Sequence, residues 1–230
     1  MIDKDMVLDY AKELAKDKST LATAIFVFVG ALAIGGYFLH GWYSAGIQSS
    51  AQIAFSESLE IFNQTLTKDL TATEEKKDLD WDESDLAFKT GYEQNKHAKI
   101  SPFFSVYEAQ SLAREGQIDG AIGQIDKAIK DFCNDIYFLN LFKITKSLIL
   151  FNGSDEQKQI ALQQLKSLAD NKDNPMQDMA FYYLGEYYYS QGDISAAKDA
   201  MQRGSELVFK NDLNVESPWV NLCRDKLVLL

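Results

Sequence analysis

The chain has 230 residues, with 23 Lys plus Arg against 34 Asp plus Glu, a formal net charge of −11 and a mean hydropathy of −0.23. That charge argues against a nucleic-acid binder, which needs basic patches for the phosphates. With 13 Gly, 3 Pro and 2 Cys, the chain is neither collagen-like nor stapled by disulfides, and the 14 Phe and 11 Tyr suit an aromatic-rich all-α protein.

Residues 1–18 hold Lys4, Lys12, Lys16 and Lys18 among five acids. The run Leu21–Leu39 follows, 19 residues without a charge, and no Asp, Glu, Lys or Arg occurs from Ser19 to Ser56. As a helix, that run covers roughly 28 Å, close to the hydrocarbon thickness of a bilayer. Trp42 and Tyr43 come next, where interfacial aromatics belong. A transmembrane helix over 19–43 is expected. A cleaved signal peptide would have a shorter apolar region, and Ser49-Ser50-Ala51 is only a weak cleavage candidate. An uncleaved signal anchor is therefore favoured. The next basic residue after Lys18 is Lys68, so the positive-inside rule puts 1–18 in the cytoplasm and 44–230 across the membrane. Gly30, Ala31, Gly35 and Gly36 add small residues to the span, which either let a second helix approach through Ala31-x-x-x-Gly35 or reflect only how common Gly and Ala are in membrane helices.

Beyond the span, apolar residues recur at helical spacing. Ile53, Leu59, Ile61, Phe62 and Leu66 stripe a membrane-proximal helix, and Leu86, Phe88 and Tyr92 suggest its partner at about 84–98. These form a degenerate pair within 44–100, separated by the acidic insert TKDLTATEEKKDLDWDESD. Asp78, Asp80 and Asp82 in the insert alternate as in a calcium loop. An EF-hand would next need Gly and a terminal Glu, where this chain has Glu83 and Lys89, so a solvated acidic linker is expected.

Residues 101–230 repeat themselves. Phe181, Leu184, Gly185 and Tyr188 share one helix face, Gly192-Asp193 turns the chain, and Ala197, Met201 and Gly204 form the facing stripe. Ala109, Leu112, Gly116, Ala121, Ile125 and Ala128 repeat the pattern, with twelve positions between the small residue of the first helix and the alanine of the second in both copies. A middle copy uses Leu141, Ile144, Thr145, Leu148, Ala161, Leu165 and Leu168, and its turn FNGSDEQKQ is expected to hold four extra residues. Small residues permit close helix approach, and aromatics fill the space between pairs. Ser217-Pro218 reads as an N-cap with a first-turn proline, opening a capping helix that carries Val220, Cys223, Leu227 and Leu230.

This pattern resembles the tetratricopeptide repeat. The layout, with Ser101-Pro102-Phe103-Phe104-Ser105-Val106-Tyr107-Glu108-Ala109 opening the repeats, resembles the bacterial inner-membrane tetratricopeptide proteins that accompany the Sec translocon. The resemblance implies a periplasmic domain contacting translocon subunits, exported clients or periplasmic chaperones. It also implies a concave surface lined by the first helix of each pair. By register that surface carries Phe103, Val106, Gln110, Phe142, Lys146, Ile149, Tyr182, Glu186 and Tyr189, an aromatic groove suited to a peptide.

Catalytic and cofactor motifs are missing from the sequence. His40 and His97 have no companions at metal-ligand spacing, and there is no phosphate-binding glycine loop or nucleophile elbow. No cofactor, metal, nucleic acid or small-molecule substrate is expected. Cys133 and Cys223 read as buried small apolar residues, with a disulfide as the other reading. Two functions stay open. One is an adaptor or chaperone-like partner at the export machinery; the other is a structural assembly factor for a secretion, pilus or division apparatus. An enzyme is the least supported class.

Overall fold

The computed structural model describes residues 18–71, 81–132, 135–207 and 217–230, with side chains from residue 44. These residues are all helical, without strands. The helices are α1 (Lys18–Thr71), α2 (Asp82–Gln94), α3 (Ser101–Arg114), α4 (Ile118–Asp131), α5 (Ile136–Leu150), α6 (Asp155–Asp170), α7 (Gln177–Ser190), α8 (Ile194–Ser205) and α9 (Pro218–Leu229). The described residues divide into two compact units between Ser50 and Ala51, within α1. Among the described residues no helix is long and apolar enough to cross a membrane. The expected cytoplasmic segment 1–18 and span 19–43 lie outside the residues whose side chains are described, as do Asp78, Asp80 and Cys133.

Within 51–230, each helix from α2 onward packs on the next, and α3 also touches α5, the first helix of the following pair. This is a helical-repeat arrangement. In α1, Ser56, Ser58, Thr67 and Thr71 direct their hydroxyls back to carbonyls one turn earlier, which satisfies these polar groups without breaking the helix. The buried face of α1 runs through Ala51, Ser58, Phe62 and Thr65. Ile53 is not on it: this residue is 59% exposed, and Leu86 on α2 is 62% exposed, so both leave the expected apolar stripes. Their positions fall on the faces turned away from the aromatic seam. That seam joins α1, α2 and α3, with Phe55 against Phe104 at 5.1 Å, Phe62 against Trp81 at 5.3 Å and Phe88 stacked on Tyr107 at 5.2 Å. Ring pairs of this kind contribute roughly 0.5–1.5 kcal/mol each beyond the area they bury.

The α2–α3 register is antiparallel. The Arg114 guanidinium lies over the Trp81 ring, the hydroxyls of Ser84 and Ser111 share a hydrogen bond of 2.8 Å, and Gly91 leaves room for the Phe104 ring.

The turns of the first and third pairs are alike. The amides of Gln117 and Asp193 donate to the carbonyls of Leu112 (2.9 Å) and Tyr188 (3.0 Å), and Gly116 and Gly192 sit at φ 80° and 77°. This left-handed C-cap satisfies helix-end carbonyls and strongly favours glycine. The middle copy differs from expectation. Only one of its four extra residues lies in the turn, which spans 151–154, and the other three lengthen α6 at its start. A capping box explains the early start: Gln157 N–H donates to Ser154 Oγ (3.3 Å), and Ser154 N–H donates to Gln157 Oε1 (2.8 Å).

Candidate functional site

The nine residues expected to line one groove fall into three environments. Val106, Phe142 and Ile149 are buried together between α3, α4 and α5 with Ala109, Ala121, Ile125 and Ala128. They are therefore core residues, not groove-lining ones. Phe103 joins them, its ring 5.0 Å from Phe138, 5.4 Å from Phe142 and 5.7 Å from Phe132. The physical reason is the seam between consecutive pairs. An apolar stripe on a first helix gains more by burial against the next pair than by facing solvent, so the most apolar register becomes core.

A second set lies under the capping helix. Ser217 begins α9 by accepting a hydrogen bond from Trp219 N–H at 3.3 Å, with Pro218 in the first turn, as expected. Trp219 then lies 5.5 Å from the Tyr182 ring and 5.4 Å from Tyr183. Two turns on, Lys226 Nζ reaches Glu186 at 2.9 Å and lies over the Tyr189 ring at 5.8 Å. Burial raises the Tyr182 and Tyr183 hydroxyl pKa values, with the Glu186 charge adding to both. The hydrogen bond to Glu186 raises that of Lys226. The chain's own helix thus contacts Tyr182 and Glu186, positions assigned to a partner.

The third set remains accessible. Tyr189 is 51% exposed. Gln110 is half-exposed, and its amide donates to the Val106 carbonyl at 3.5 Å. Lys146 bridges to Asp126 of the neighbouring pair at 2.6 Å, with its own side chain partly exposed. With Lys146 22% and Asp126 49% exposed, this pair contributes about 1 kcal/mol or less.

The base of the third pair is built on buried amides. Asn174 Nδ2 donates to Leu168 O (2.8 Å) and Gln177 Nε2 to Ala169 O (2.6 Å), which satisfies carbonyls at the end of α6. Asp178 is also buried there. Burial raises its pKa, and bonds from Ser217 and the Met179 amide oppose the rise. Cys223 is a free, fully buried thiol pushed up to about 12 by burial, with Asp178 and Glu186 adding to the effect. Among the described residues no group of three or more His, Cys, Asp or Glu could hold a metal ion, and His97 stands exposed in the α2–α3 connection.

One cluster was missed in the sequence. Ser105, Glu108 and Ser111 form a buried polar stripe on α3. Aligning the repeats exposes the anomaly: Ser105 and Glu108 occupy the positions of Leu141 and Ile144 in the second pair, and of Phe181 and Leu184 in the third.

No protein-family model matches this chain, and no curated protein matches it.

Proposed function

We propose that this chain is a membrane-tethered, tetratricopeptide-like adaptor. It binds protein partners at the export machinery on the outer face of the inner membrane and acts as a chaperone-like intermediary. The observation that carries this reading is the stack of helix pairs with the small residues of that repeat at their closest approaches. A Cβ on Gly185 would come within 2.6 Å of Met201 Cε, and one on Gly204 within 2.7 Å of Cys223 Sγ. Helices packed this tightly make a rigid scaffold, and rigid scaffolds of this kind present side chains to other proteins. The uncharged run Leu21–Leu39 supports the tether, which would hold that surface at high effective concentration beside membrane partners.

Photo-crosslinking side chains at Gln110, Lys146 and Tyr189, activated in intact membranes, test the reading. Translocon subunits, exported clients or periplasmic chaperones are the expected adducts. Recovery of division, pilus or secretion-apparatus components alone would replace the export role with one in assembly. Protease added to spheroplasts should digest residues 44–230; their protection would reverse the proposed orientation.

A further inference from the structure

The polar stripe on α3 has no role in the packing scheme that the other pairs follow. Where the second and third pairs place Ile144 and Leu184, the first places Glu108, 3% exposed. It lies in the seam of α2, α3 and α4, and the charged groups facing it are two acids and two lysines. From α2 come Asp85, Glu93 and Lys89; from α4 comes Lys127. Lys127 is engaged elsewhere, with its ammonium 3.3 Å from the centre of the Tyr92 ring, whose hydroxyl donates to Asp131 at 3.5 Å. Glu93 is paired with Lys96 at 2.6 Å.

Further along the same seam, Glu115 accepts a hydrogen bond from Gln117 at 2.6 Å and lies within hydrogen-bonding reach of the Asp82 carboxyl. Arg114, beside it, is turned to Asp69 of α1 at 3.2 Å. Two facing carboxyls can bond only through a proton held by one of them. The seam also buries Asp85 Oδ1 and Glu115 Oε1 without partners. Unmatched buried acceptors are costly, and a protonated carboxyl is the donor such a site lacks.

We propose that the α2–α3 seam is a proton-operated joint, closed when its facing carboxyls hold protons between them and loosened when all are ionised. The attachment of α2 to the repeat array then follows the pH of its surroundings. Burial, with Asp85 next, pushes Glu108 up to about 7; burial, with Asp82 next, does the same to Glu115, and burial raises Asp85 against the pull of Lys89. A carboxyl raised in the closed state binds its proton there more tightly than in the opened state. Closure is therefore fully favoured below the ordinary carboxylate pKa of about 4.5. It weakens as pH rises and levels off above about 7.

Hydrogen exchange of the full-length chain in detergent, read by mass spectrometry and corrected for the intrinsic pH dependence of exchange, tests the joint. Peptides from α2 should be protected at least tenfold more at pH 5 than at pH 8, while α5 and α6 keep the same protection. Glu108→Gln should shrink that difference, and Glu108→Gln with Glu115→Gln should remove it. Glu108→Leu, which restores the aliphatic residue of the other pairs, should also shrink it and covers the case in which the Gln variants fail to fold. Wild-type α2 protection that does not change with pH would overturn the proposal. So would a change that persists at full size in the double Gln variant or, if that variant is unfolded, in Glu108→Leu.

Discussion

Replacing Gly204 by alanine tests how α9 seals the array. The new Cβ would lie 2.7 Å from Cys223 Sγ and 3.0 Å from Phe181 Cβ. Neither neighbour yields easily: the thiol is fully buried, and the Phe181 Cβ is tied to the α7 backbone. Overpacking of this kind costs about 1–3 kcal/mol, while Gly→Ala in a helix returns up to about 1 kcal/mol. The net expectation is a loss of about 1 kcal/mol, or roughly 2–4 °C in Tm for a domain of this size. Gly123 on α4 provides the control, because nothing lies within 4 Å of its added Cβ. Gly123→Ala should therefore stabilise by up to about 1 kcal/mol. Adding Cys223→Ala to Gly204→Ala removes the closest contact, so the two substitutions should couple favourably by about 1 kcal/mol. Urea melts of the full-length chain followed by far-UV ellipticity give all four corners of the cycle. Gly204→Ala as stabilising as Gly123→Ala, or a coupling of zero, would refute the docking geometry.

The left-handed C-caps make Gly116→Ala and Gly192→Ala each destabilising by about 1–2 kcal/mol despite open space around both positions, readable in the same melts. Ser217→Ala should cost about 1 kcal/mol through loss of the α9 N-cap and raise amide exchange within α9 before any other helix. Cys223, buried and pushed up to about 12, should resist iodoacetamide at pH 8 and react only when α9 detaches. Alkylation at the native state's ordinary thiol rate would show that the helix does not shield it. Phe142→Ala should lower stability by about 3–5 kcal/mol as a core truncation, whereas Tyr189→Ala should leave stability nearly unchanged, which separates core from surface among the nine expected groove residues.

Local chemistry was legible in the sequence. Helical periodicity, the glycine turns at 116 and 192 and the Ser217-Pro218 start each depend on residues a few positions apart, so reading them in order was enough. The early start of α6 was legible in the same way, since Ser154 and Gln157 form the capping box that shortens the turn. Destination was not legible. Val106, Phe142 and Ile149 share a helix stripe whether that stripe lines a groove or fills the seam to the next pair. Only the stacking of α3 on α5 put them in the core. Tyr182 and Glu186 met α9 for the same reason: residues about forty positions apart in sequence came together through the fold. Glu108 combines both cases. Its misfit among the aliphatic residues of the other pairs was visible once the repeats were aligned. That it faces Asp85, and that Glu115 faces Asp82, followed from the antiparallel register of α2 on α3. Sequence thus determined which helices form and where they end, because those energies are local. The tertiary structure decided which faces see water, because burial is settled by whatever packs on top.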